Sequence, residues 1–167
     1  FNLDRFQEAV DTLQPLTRKK LKPVQRYRVN TRISLSLARL GKHEDALKLL
    51  ESMQNRGEFA VFAPGIRLEI GRIYELRGDT ERAMQAYSTM AADFPDYVAA
   101  REAWYRVGIM TLHDISKAQE ARDAFVKVTQ NKKIEQSWFL DATAKVTQID
   151  SLKARTERIE KLADKPE

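Results

Sequence analysis

The chain has no cysteine, only two histidines in 167 residues, and few helix breakers, with six glycines and five prolines. The lack of cysteine excludes a disulfide framework, thiol chemistry and cysteine-based zinc sites, and leaves the compartment open. His43 and His113 lie far apart in sequence, and neither has a partner at helical spacing with which to grip a metal. No glycine-rich phosphate loop follows a strand, since no stretch reads as a strand, and Ser34 and Ser36 have no base nearby. The sequence therefore offers no catalytic residue, no metal ligand set and no cofactor site, and the expectation is a protein that is not an enzyme. No apolar run approaches the roughly 18 residues that would span a bilayer. The chain begins at Phe1 and not at Met, a start expected of a piece of a longer protein, which leaves room for a targeting segment upstream.

What is present is charge and a repeat. Charged residues make up 32% and apolar residues 43%, a balance that suits a helical globular protein and not a disordered one. A chain of this length buries roughly 70% of its unfolded surface, so core size is not limiting. The net charge of +5 is unevenly spread: residues 1–57 carry +6, residues 58–115 carry −3 and residues 116–167 carry +2. The densest basic stretch, "RKKLKPVQRYR" from Arg18 to Arg28, reads either as a surface for phosphates or an acidic protein face, or as a solvated loop and the exposed side of a helix.

"FQEAVDTL", "HEDALKLL", "TERAMQAY" and "AQEARDAF" are four versions of one phrase. Their central alanines, Ala9, Ala46, Ala83 and Ala121, are spaced by 37, 37 and 38 residues, and a bulky residue follows each by four positions: Leu13, Leu50, Tyr87 and Phe125. Gly71 and Gly108 repeat the 37-residue interval, as do Gly41 and Gly78. Small side chains at Gly71 and Ala83 let two antiparallel helices approach closely, with Ile70, Tyr74 and Tyr87 filling the space beside them. Gly78 suits the left-handed turn that ends a helix, and Asp79 or Thr80 suits the cap of the next. This hinge accounts for the "RGD" at 77–79 without an adhesive role. Pro95 stops the second helix, with Asp96 available as the next cap. One such pair leaves an apolar side open, so neighbours must stack on it.

The unit carrying Gly71, Tyr74, Ala83, Tyr87 and Pro95 resembles a tetratricopeptide repeat. Trp104, Gly108, Ala121 and Phe125 carry the resemblance into the next unit, where Thr111 stands in an aromatic place and "LHDISKA" replaces the tight hinge. The preceding unit keeps Gly41 and Ala46 but has Ser34 and Leu37 in the Gly and Tyr places, and only the second helix of the first unit is present. The resemblance implies an all-α fold: a right-handed superhelical array of antiparallel helix pairs, an α-solenoid, over residues 1–133, followed by a long capping or projecting helix over 134–167. The 37-residue period, longer than the common 34, and the phrase "DFPDYVAAREAWYRVG" are similar to the bacterial cell-envelope branch, including the outer-membrane barrel-assembly lipoprotein and the periplasmic Tol-Pal coordinator. That branch implies a non-catalytic scaffold in a periplasmic or outer-membrane-associated place; outside that branch the expectation is a cytoplasmic one.

Helices are expected at about 3–14, 23–40, 43–56, 60–77, 79–93, 96–112 and 116–130, with a final one from about 134 to 163. At Pro64 a helix either starts or bends. Trp138, Ala142, Val146, Ile149, Leu152, Ile159 and Leu162 sustain one apolar stripe in the last helix, uninterrupted near Leu152. Its first half is expected to cap the last repeat. Its second half, "KARTERIEKL", reads as a short coiled-coil or partner-binding segment offering oligomer contacts, or as a packed or fraying terminus.

In a repeat array of this kind, binding is expected on the concave face lined by the first helix of each pair. The register puts Arg28, Thr31, Arg32, Leu35 and Arg39 there, then Leu68, Arg72 and Leu76, then Tyr105, Arg106 and Ile109. So many guanidinium groups favour a partner peptide or helix carrying Asp, Glu or a terminal carboxylate, unless the arginines merely lie over the helix surface. The family's clamp for heat-shock-protein tails needs Lys and Asn where this chain has Thr31, Leu35, Glu69 and Glu102, with only Arg106 in keeping. The rival readings are a helical-repeat RNA-binding module, disfavoured by the negative middle third, and an accessory interaction domain of a larger enzyme. A small-molecule substrate is not expected.

Overall fold

A computed structural model describes residues 3–130 and 137–163. Among them are eight α-helices and no strand, and the chain is all-α, built of helix pairs of the repeat kind. Packing divides it into two compact units, residues 1–100 and 101–167.

The first unit opens with α1 (Leu3–Leu13) and a 3-10 turn (Gln14–Arg18) that Pro15 helps to start. α2 (Pro23–Arg39) begins on Pro23, whose missing N–H costs nothing at a helix start. The Gln25 side chain accepts a hydrogen bond from the Lys22 N–H at 3.0 Å. α3 (His43–Gln54) pairs with α2 across a hinge at Gly41, where φ is 78°. α4 (Ala63–Arg77) and α5 (Thr80–Asp93) repeat that arrangement, with Gly78 at φ 81°. Both hinges close alike: the Gly41 and Gly78 N–H groups donate to Ala38 and Glu75, and the following residues, Lys42 and Asp79, donate to Leu37 and Tyr74. This is the Schellman end, which uses glycine because its left-handed conformation burdens any residue with a Cβ. Asp79 then caps α5, accepting from the Arg82 N–H at 3.2 Å.

The helix pairs close on small residues. A Cβ placed on Gly71 would collide with the ring of Tyr87, which is fully buried and whose hydroxyl donates to Glu75 Oε2 at 2.7 Å. In the preceding pair Ser34 holds the glycine's place, and its buried hydroxyl donates to the Ala46 carbonyl at 2.6 Å. Ala46, Leu50, Met53, Phe59, Ile66 and Ile73 form one core that joins α3 to α4. Phe59 lies just before the helix start expected near 60. Residues Gly57–Phe62 instead wind as a 3-10 turn, and α4 starts beside Pro64, without a bend at the proline. The turn buries Phe59 and stacks Phe62 on Tyr27, ring centroids 4.5 Å apart.

α6 (Val98–Thr111) runs across the division between the units. In the second unit it pairs with α7 (Ala118–Thr129), again with glycine against a ring: a Cβ on Gly108 would come within 2.6 Å of Phe125. The hinge has no glycine; Asp114 accepts from the Ser116 N–H at 3.0 Å and leads into a 3-10 turn, Ile115–Lys117. Those hydrogen bonds hold the Asp114 carboxyl below its ordinary range. His113 beside it is exposed. α8 (Ser137–Ala163) packs Ala142, Val146 and Ile149 against α7, and Arg122 of α7 grips Asp150 through Nε at 2.5 Å and Nη2 at 2.9 Å. Beyond Asp150 the helix is exposed through residue 161, including Leu152 and Ile159. The expected start of this helix near 134, and with it the boundary at 133/134, lies outside the described residues, as do the side chains of Trp138 and Leu162.

Candidate functional site

Four of the residues expected to bind a partner share one face of α2. At about 3.6 residues per turn, Arg28, Arg32, Leu35 and Arg39 fall in a narrow stripe along the helix. The three arginines are exposed and Leu35 is half-buried between them. None of the three guanidinium groups has a side-chain partner among the described residues. The opposite face of the same helix supplies Ile33 and Ala38 to the interior, which is why the sequence alternates arginine with apolar and small residues here.

α4, which packs beside α2, presents a different surface. Leu68 is 6% exposed and so supplies packing and little contact area. Arg72 is half-buried, its Nη1 donating to Glu69 Oε1 at 2.6 Å within the same helix. The Tyr27 phenol of α2 lies close to this pair. Burial first, and then the Glu69 charge, push its pKa up, partly offset by Arg72. The α4 face is thus charge-balanced, while nothing among the described residues compensates the positive charge of the α2 stripe.

Tyr105 and Arg106 belong to the second unit. The Tyr105 hydroxyl donates to Asp141 Oδ2 of α8 at 2.7 Å, and its ring meets Phe125 edge-on at 6.0 Å. Burial and that hydrogen bond push its pKa up to about 12. Arg106 Nε donates to Glu102 Oε1 at 3.1 Å. Nearby, the Lys127 ammonium sits 3.6 Å from the centre of the Trp104 ring, a cation–π contact. Tyr105 is therefore committed to holding α8, a role with no local signature because Asp141 is 36 residues away.

The decisive features are the glycine-on-ring pairs, the left-handed glycine hinge and the capped second helix at Gly71–Pro95. Residues 67–97 match the tetratricopeptide repeat family model. Tetratricopeptide repeats generally mediate protein–protein interaction and are typically non-catalytic modules. No curated protein and no solved structure gave a significant match. Among the described residues no group of three or more His, Asp or Glu is placed to hold a metal ion, and no helix is long and apolar enough to cross a membrane. The "RGD" has a structural place: Arg77 pairs with Glu44 at 2.5 Å, Gly78 turns the chain and Asp79 caps α5.

Proposed function

We propose that the protein is a non-catalytic docking scaffold and that the arginine stripe of α2 is its principal contact, binding an acidic peptide or helix of a partner protein. One observation carries this reading: Arg28, Arg32 and Arg39 are exposed on a single helix face with no carboxylate to neutralise them among the described residues. Guanidinium groups spaced by one and two helical turns suit carboxylates displayed at matching intervals. Arg72 and Arg106, held by their own glutamates, contribute less. Tyr105 serves the fold more than the partner.

The 37-residue period and the phrase from Asp93 to Gly108 support a place in bacterial envelope assembly, and the exposed end of α8 supports oligomer contacts there. The repeat array over 1–133 and the helix over 134–167 are read as its docking and capping parts.

The test is fluorescence anisotropy with a labelled poly-glutamate peptide and, in parallel, a labelled single-stranded RNA. The peptide is expected to bind, and Arg28→Glu/Arg32→Glu to weaken it by at least about tenfold. Unchanged affinity in the double variant would remove the stripe from the site. Tighter RNA binding with a steep salt dependence would replace the reading with a nucleic-acid one.

A further inference from the structure

We propose that the cleft walled by the Gln14–Arg18 turn, α2 and α3 is a second binding site, taking an acidic peptide segment through one bulky side chain tipped with an O–H or N–H donor. It lies on the face of α2 opposite the arginine stripe and does not depend on it.

The first unit contains two clefts that are the same place in successive repeats. One of about 550 Å³ has Ile33 and Leu37 in its lining; the other, of about 600 Å³, has Ile70 and Tyr74 at the positions 37 residues on. Two further pairs of equivalent positions distinguish them. In the second cleft Arg67 forms an ion pair with Asp93 and lies over the Phe94 ring, 5.2 Å from its centre. There the two charges at these positions satisfy each other. In the first cleft Asn30 stands for Arg67 and Arg56 stands for Asp93, so the ion pair cannot form.

Two consequences follow in the first cleft. Asn30 is 6% exposed and its Oδ1 has no hydrogen-bond partner among the described residues, and a buried acceptor without a donor is costly. Arg56 turns instead to Glu58, whose carboxylate is also taken by Arg26 Nη1 at 2.9 and 3.1 Å. Two guanidinium groups lining the cleft thus share one carboxylate, leaving a surplus positive charge in a part of the chain that is already basic.

The three features select one kind of occupant. An apolar lining from Ile33, Leu37 and Leu49 takes a bulky side chain. The Asn30 Oδ1 is enclosed as the cleft stands, and a turn of its amide towards the occupant gives it the donor it lacks, which tyrosine or tryptophan supplies and phenylalanine does not. The surplus cation selects acidic neighbours in the same segment.

The experiment is fluorescence anisotropy with a labelled peptide of one tyrosine flanked by aspartates, beside the same peptide with phenylalanine for tyrosine and another with lysines for aspartates. The tyrosine peptide is expected to bind about tenfold more tightly than the phenylalanine one, and the lysine peptide not to bind. Arg56→Glu is expected to weaken binding at least about tenfold, Asn30→Leu to remove the preference for tyrosine, and Arg32→Glu to leave the tyrosine preference intact. Because Arg56 is exposed, its variant carries the test even where Asn30→Leu fails to fold. Equal affinity for the tyrosine and phenylalanine peptides overturns the proposal. So does a greater loss from Arg32→Glu than from Arg56→Glu, which would place the peptide on the stripe and leave the docking reading standing. A dimer of the protein alone that Arg56→Glu dissolves would assign the cleft to a second copy, and also overturns it.

Discussion

The helix pairs α2–α3 and α4–α5 share a phrase, a hinge and a period, yet they close differently at the centre. In the first, a serine hydroxyl reaches across to a backbone carbonyl and faces a second helix whose bulky residue is Leu50. In the second, glycine admits the whole ring of Tyr87, which is tied at its far end to Glu75. The contrast shows that the repeat conserves the summed volume at the crossing and not the residue: a side chain gained on one helix must be given up on the other.

The largest effect is expected from breaking that balance. Gly71→Ser puts a side chain where the Tyr87 ring lies and should destabilise the protein by about 1–3 kcal/mol, lowering the melting temperature by roughly 2–4 °C for each kcal/mol. Gly71→Ser with Tyr87→Leu imitates the first pair and should recover part of the loss. Urea unfolding of the single and double variants measures this; additive losses would show that the two positions do not share one volume.

A smaller effect is expected at the hinges, where the two pairs are alike. Gly41 and Gly78 have φ of 78° and 81°, with nothing among the described residues near enough to obstruct a Cβ, so alanine at either costs only backbone strain, about 1 kcal/mol. Equal losses for Gly41→Ala and Gly78→Ala confirm that the hinges are interchangeable. A loss at Gly78 as large as at Gly71 would mean that the hinge also governs packing.

Most of the helix map was legible because glycine, proline and the repeated alanines punctuate it. The bounds of α1 to α7 fall within about three residues of expectation, the scatter usual for helix ends. The Gly57–Phe62 turn was not legible, because "EFAVF" is apolar without a period that separates a helix from a shorter winding. At the candidate site the α2 stripe could be read from spacing. The burial of Leu68 and the bond from Tyr105 to Asp141 could not, since both depend on neighbours distant in sequence. The substitution of Asn30 and Arg56 for an ion pair was written in the sequence at offset 37, but carries meaning only once Arg67 and Asp93 are seen to meet.

The second unit extends the comparison to a pair held by charge as well as by packing. Arg122 and its hydrogen bonds lower the Asp150 pKa below its ordinary 3.8. A carboxyl whose pKa falls on folding contributes stability above its unfolded pKa and loses it as pH falls through the folded value. The hold of α7 on α8 should therefore weaken only below about pH 4, a small effect because the pair is solvent-exposed. Hydrogen exchange along residues 137–150 at falling pH should show this loosening, and Arg122→Ala should remove its acid dependence.

The smallest effect lies at the other end of the pH scale and separates two causes that act together at Tyr105. Its pKa is raised from 10.0 to about 12, by burial first and by its hydrogen bond to Asp141 second. The neutral phenol is thus the form the fold favours. Its contribution is complete below the unfolded pKa of 10.0 and lost as pH rises towards about 12. Ultraviolet titration should show late tyrosinate steps for Tyr27 and Tyr105, of which Tyr105→Phe removes the one near pH 12. In Asp141→Asn the step should move down but stay above its ordinary position, because burial against Phe125 remains while the carboxylate's charge and its strong acceptor are gone. A return all the way to 10.0 would reverse the order of the causes, making α8's carboxylate, and not the packing of α6 on α7, what keeps this phenol neutral.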